Sequence, residues 1–229
     1  MGYFLFIVVG VFGCLMVLNM GFTIWSRIAE MRYLSALAHR LEIEMVPAHQ
    51  DDGAFDRSAA EGTSDVLFDI TRGVDLLAGD WRGQRLHFIR YDLNSTNFST
   101  PRVELAVRAR VQPFTFSLRR KTIRWKLLEL VGAREVRVDD PEFDRRWHVH
   151  TSNPGLFLAL MLPELRAKID RAADAGAVGE YRLNHGWMRY IEQGRFDSPK
   201  RVTRYEGLVE VMWELAMAVE MAAKNNVAS

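Results

Sequence analysis

The stretch VELAVRARVQPFTFSLR, residues 103–119, decides the fold class. Val103, Leu105, Val107 and Ala109 fall on one side of an extended chain, while Glu104, Arg108 and Arg110 fall on the other. Phe114, Phe116 and Leu118 alternate in the same way with Thr115, Ser117 and Arg119. Successive side chains of a strand point to opposite faces, so this period of two predicts half-buried β-strands. The signal recurs outward in both directions. Upstream, residues 76–91 carry Gly79, Asp80, Trp81, Arg82 and Gly83 between apolar runs, which predicts a hairpin. Downstream, Trp147, Val149 and Thr151 make the inward face of a further strand, and residues 181–184 and 187–191 form a second hairpin joined at His185 and Gly186. Residues 94–101, NSTNFSTP, read as a connecting loop.

After residue 151 the period lengthens. Asn153 and Pro154 open a helix that Pro163 ends, because proline lacks a backbone donor and fits best at a helix start; a second short helix follows over 163–173. Asp197 or Ser198 as N-cap, with Pro199 at the first helical position, begins a long amphipathic helix carrying Val202, Tyr205, Val209, Met212, Leu215 and Val219. Strands first and helices later predict an α+β domain, a mainly antiparallel β-sheet with two or three packed helices, rather than an alternating parallel fold.

The amino terminus sets location. The first twenty-six residues carry no charged side chain, and residues 3–25, YFLFIVVGVFGCLMVLNMGFTIW, are long enough to cross a bilayer: about 35 Å of helix against a hydrocarbon core of about 30 Å. No positive n-region or small-residue cleavage site marks a removable leader, so the run reads as a retained signal anchor. Arg27, Arg32 and Arg40 follow it and no basic residue precedes it, which places the domain on the cytoplasmic side of an inner membrane. Asn19 offers an interhelical hydrogen bond, so a homodimer through the span is one arrangement. Residues 26–45 continue as a juxtamembrane helix ended by Pro47, and 48–64, AHQDDGAFDRSAAEGTS, read as a flexible linker. The expected organisation is a transmembrane signal anchor at 1–26, juxtamembrane helix and linker at 27–64, the α+β domain at 65–224, and a tail at 225–229.

Chemistry is stated more faintly. Thirty basic and twenty-nine acidic side chains leave a net charge of +1, which excludes a surface built to neutralise many phosphates, so nucleic acid is not the expected partner. The single cysteine, Cys14, lies in the apolar run, which excludes an intramolecular disulfide and thiol catalysis in the domain. No nucleophile elbow, phosphate-binding loop, HExxH, CxxC or GxGxxG occurs. His148 and His150 leave one face of a strand and offer the spacing of a metal pair, with Asp139, Asp140, Glu142 and especially Asp144 as nearby carboxylates. The competing reading puts the histidines on a wet face behind inward Trp147 and Val149, and makes Asp140 with Pro141 a turn between strands. Arg119, Arg120, Lys121, Arg124 and Lys126 form the densest basic stretch, a candidate contact for anionic headgroups. Interleaved Ile123 and Trp125 favour a strand with a charged solvent face instead.

The segment VRVDDPEFDRRWHVHTSNPGLFLALMLPELRAKI, residues 136–169, resembles the signature of a family of uncharacterised bacterial membrane-anchored proteins. The matching elements are Asp140, Phe143, Asp144, Trp147, Val149, Asn153, Leu162, Pro163 and Leu165, with Leu77, Gly79 and Gly83 in an upstream hairpin. The resemblance implies a bacterial inner-membrane protein and assigns no catalytic residues. The expected function is therefore a single-pass membrane protein whose α+β domain is a non-catalytic binding or scaffolding module, with the bilayer and a protein as partners and no cofactor. The alternatives are a metal-assisted hydrolase on the His148 and His150 face, and an envelope protein with the domain exported.

Overall fold

The computed structural model describes residues 2–43, 73–91, 102–109, 114–121 and 136–227. In chain order the elements are α1 (Gly2–Arg40), β1 (Gly73–Trp81), β2 (Gln84–Tyr91), β3 (Arg102–Arg108), β4 (Phe116–Arg120), α2 (Pro141–Arg146), β5 (Trp147–Thr151), α3 (Pro154–Leu160), α4 (Pro163–Asp174), β6 (Glu180–Asn184), β7 (Trp187–Gln193) and α5 (Pro199–Val227). The strands form one seven-stranded antiparallel sheet in the order β1-β2-β3-β7-β6-β4-β5. The fold is α+β, as the patterning requires.

The second hairpin turns at His185 and Gly186 as expected, but the first turns at Arg82 and Gly83 alone: Gly79, Asp80 and Trp81, read as part of the turn, belong to β1 and pair with Leu86, Arg85 and Gln84. Arg82 and Gly83 adopt φ of 48° and 79°, and His185 and Gly186 adopt 50° and 72°. Two successive positive φ values in a two-residue loop match the right-handed twist of the flanking strands. At Gly186 a Cβ would also stand 3.2 Å from the Ala109 carbonyl oxygen.

One rung of the ladder crosses all seven strands. Leu77, Phe88, Leu105, Tyr190, Tyr181, Leu118 and Val149 stand directly opposite one another in sequence across the sheet, and all are buried. Against this face lie Phe157 of α3, Leu165 and Ile169 of α4, and Leu208, Met212 and Leu215 of α5. Each fully buried side chain of this size contributes about 1.5–3 kcal/mol relative to exposure, so this layer holds the domain together. Asn153 caps α3 by accepting from the Leu156 amide, and Pro163 starts α4.

Several expectations change. β3 is buried on both faces rather than half-buried, because it sits inside the sheet and Glu104 and Ala106 are covered as completely as Val103, Leu105 and Val107. Asp140 and Pro141 do not make a simple turn: Asp140 accepts from the amides of Glu142 and Phe143 and caps the short α2, with Pro141 at its start.

At the amino terminus α1 is one unbroken helix of 39 residues. It ends at Arg40 rather than running on to residue 45, and Glu42 follows with φ of 55°. Its last turns belong to the domain: Leu34, Leu37, Ala38 and Leu41, then Ile43, enter the same hydrophobic core as the sheet. Among the described residues no helix is long and apolar enough to cross a membrane. The side chains of residues 3–12, of Cys14 and of Asn19 lie outside the described residues, as do the linker over 48–64 and the loop over 94–101. At the other end α5 reaches Val227, into the stretch read as a tail.

Candidate functional site

The face of the sheet away from the helices carries the polar residues. Register places Ala106, Arg189, Arg182, Ser117 and His150 side by side, with Glu104, Ile191 and Glu180 in the neighbouring row. These groups pair with one another. Glu104, only 1% exposed, receives the Arg189 guanidinium at 2.5 Å. Glu180 holds Arg119 at 2.6 Å and also takes Arg182. At the far end of β7 the Arg108 guanidinium lies 5.1 Å from the centre of the Trp187 ring, and His87 meets the same indole edge-on at 5.1 Å. A carboxylate removed from water survives as an ion only when paired and hydrogen-bonded, which is what Arg189 does for Glu104.

The sequence-predicted site residues divide on this frame. His148 and His150 do share a face, His148 opposite Arg119 and His150 opposite Ser117. They differ in environment: His148 is buried at 8% exposure and His150 is exposed, so the wet-face reading holds for one of the two. Asp144 lies on α2, where its Oδ1 accepts from the Val138 amide at 3.0 Å. Asp140 is occupied with its cap and with Arg166 at 3.4 Å, Glu142 is exposed, and Asp139 occupies a bend with φ of 57°. Among the described residues no group of three or more His, Cys, Asp or Glu could hold a metal ion. The basic stretch is divided as well: Arg119 is in its ion pair, Arg120 is exposed, Lys121 is half-buried, and Arg124 and Lys126 lie outside the described residues.

A second polar cluster, not foreseen, lies on the helix side between β7 and α5. The Tyr190 hydroxyl donates to Glu192 Oε2 at 2.7 Å and accepts from the Gly179 amide at 2.9 Å. Arg204 reaches Glu192 and donates to the Gly176 carbonyl at 2.9 Å, and Arg201 approaches the same carboxylate at 3.5 Å. Tyr181 packs tilted and Tyr205 edge-on against Tyr190, with ring centres 5.0 Å and 6.2 Å away. Burial first, and then the nearby Glu192 charge, push the phenols of Tyr181, Tyr190 and Tyr205 well above their ordinary value of 10.0. All three are neutral at physiological pH, and the cluster clamps the sheet to α5. The sequence carried one usable sign of it: Arg201, Arg204 and Tyr205 recur at threes and fours on one helix, the spacing that puts side chains on one face. Gly179 makes the clamp possible, since a Cβ there would come 2.4 Å from the Ile191 carbonyl oxygen.

No family model and no curated protein matches the chain. Among solved structures, the crystal structure of the mycobacterial trehalose monomycolate transport factor A, TtfA, aligns with a TM-score of 0.49 at 12% sequence identity, covering 82% of this chain and 93% of that one. A likeness this distant says nothing of activity.

Proposed function

We propose that the chain is a single-pass inner-membrane protein of a bacterial membrane-anchored family, tethered through residues 3–25, whose cytoplasmic α+β domain is a binding or scaffolding module without catalysis of its own. One observation carries the reading. Of the twelve large hydrophobic side chains that stand exposed among the described residues, eight lie on α1: Met16, Val17, Leu18, Met20, Ile24, Trp25, Ile28 and Met31. Isolated exposed apolar residues are ordinary, but a contiguous apolar surface marks a partner, and a charge-free helical run of this length suits a bilayer. Arg27, Arg32 and Arg40 after the run, with none before it, support the cytoplasmic side.

A binding role is favoured over chemistry because the charged side chains of the polar sheet face are engaged with each other, Glu104 with Arg189 and Glu180 with Arg119 and Arg182. The metal-assisted hydrolase reading requires Asp144 to give up the Val138 amide before it joins His148 and His150.

The test is fractionation of cells producing the full chain, alone and with carboxyl-terminal reporters. We expect the protein to stay in the membrane pellet through an alkaline wash, a fluorescent-protein fusion to glow, and an alkaline phosphatase fusion to be inactive. Release by the wash overturns the anchor. An active phosphatase fusion overturns the orientation and favours the envelope alternative.

A further inference from the structure

The strongest unassigned feature is the way α1 enters the domain. It passes from the apolar run into the core without a break, and it meets both the loop before α5 and α5 itself. The Phe196 amide donates to buried Glu30 at 3.2 Å, and ten residues further along each segment Arg40 meets Glu206 at 3.2 Å. The two contacts advance in the same direction along both segments, so α1 and α5 run the same way, and the loop before α5 and the end of β7 lie at the level where α1 leaves its apolar stretch. From Trp25 to Glu30 the helix rises about 8 Å, comparable with one headgroup layer of about 5–8 Å.

Exposed apolar side chains continue along α1 to Ile28 and Met31, at this same level. Arg32 on α1 and Lys200 in the first turn of α5, each within a few residues of the Glu30–Phe196 contact, are both exposed. The exposed acidic residue here, Asp197, lies 3.7 Å from Arg201. Exposed apolar side chains followed by exposed basic ones, directly continuous with an apolar helix, fit an anionic lipid surface better than water.

We propose that this end of the domain, formed by the end of β7, residues 194–198 and the first turn of α5, docks flat on the anionic headgroups of the membrane that holds α1, with Arg32 and Lys200 as its headgroup contacts. The inference rests on the anchor reading above and adds an orientation to it: the domain rests on the bilayer, held there by its basic side chains, and is not hung from it. The carboxyl end of α5 then points away from the membrane.

The test uses the full chain with Cys14→Ala, reconstituted in nanodiscs of phosphatidylcholine and phosphatidylglycerol that carry a headgroup spin label. A fluorophore is placed at Gln193→Cys, at the proposed docked end, or at Lys224→Cys, near the far end of α5; both positions are exposed. We expect strong quenching at 193 and little at 224. Each basic side chain near an anionic surface favours contact by about fivefold, so Arg32→Glu with Lys200→Glu should weaken quenching at 193 severalfold, and circular dichroism should show an unchanged fold. Equal quenching at the two positions, or quenching at 193 that the charge reversal leaves unaltered, overturns the proposal. Discs that retain the chain through an alkaline wash while 193 stays unquenched overturn the docking and leave the anchor standing. A chain that washes out of the discs overturns both.

Discussion

The two faces of the sheet are built from the same seven strands by opposite means. The helix-facing side is a continuous apolar rung, Leu77, Phe88, Leu105, Tyr190, Tyr181, Leu118 and Val149, closed by α3, α4 and α5. The other side, one residue out of step on each strand, is held by ion pairs: Glu104 with Arg189, and Glu180 with Arg119 and Arg182. The first face gains stability by removing apolar area from water. The second gains little net stability from its charges, because desolvation cancels much of their attraction, but every partner is required once the group is buried. Alternation along a strand therefore separates two kinds of packing on β3, which is covered on both faces, and a buried face from a half-exposed one on β4 and β6.

The sharpest way to break the apolar face is alkali. Burial keeps Tyr181, Tyr190 and Tyr205 protonated in the folded state with pKa values above the unfolded 10.0. A raised pKa contributes stability that is fully present below pH 10 and is lost as pH rises toward the folded values. Each such group costs about 1.4 kcal/mol per pH unit in that window. Tyrosinate absorbance of these three of the six tyrosines should appear only together with loss of the circular dichroism signal. Titration in step with free tyrosine in a folded chain would refute a dry helix-facing layer.

Phe88→Ala removes a ring that meets Phe196 at 6.1 Å and Tyr205 at 5.9 Å, and should lower the unfolding free energy by about 4 kcal/mol in a denaturant titration. On the opposite face Glu104→Ala should cost about 3 kcal/mol, because it leaves Arg189 charged and without this partner. The double replacement Glu104→Leu with Arg189→Met should recover most of that loss. If the double variant is as unstable as the single, the polar face is held by more than its charge pairing. The smallest effect belongs to the pair between α1 and α5: Arg40 and Glu206 are 52% and 38% exposed, so Arg40→Ala should shift stability by less than about 1 kcal/mol.

Local rules recovered most of the elements. Gly186 marked a two-residue turn that requires positive φ, Gly83 marked the end of a turn that proved shorter than the run 79–83, Asn153 and Pro163 marked helix starts, and Pro199 opened the last helix, because each of these signals acts within a few residues. Asp140 was harder, since the same Asp-Pro pair serves a turn or a helix cap and only the chain beyond it decides. His148 and His150 illustrate the limit for the site. Their spacing correctly placed them on one face, but whether that face is wet depends on what other parts of the chain lie over it. The clamp on Glu192 was legible only in part, for the same reason: the spacing of Arg201, Arg204 and Tyr205 put them on one helix face, but their partners come from β6 and β7.

By itself the sequence determined the class of the domain, its hairpins, its helix starts and the charge-free run at its amino terminus, because periodicity, turn chemistry and hydropathy are properties of neighbours along the chain. Only the tertiary structure decided the strand order, the burial of β3 on both faces, and the entry of Leu34, Leu37 and Leu41 of α1 into the same core. Those outcomes depend on contacts between residues far apart in the chain, where burial and charge pairing, rather than local preference, set which arrangement is lowest in free energy.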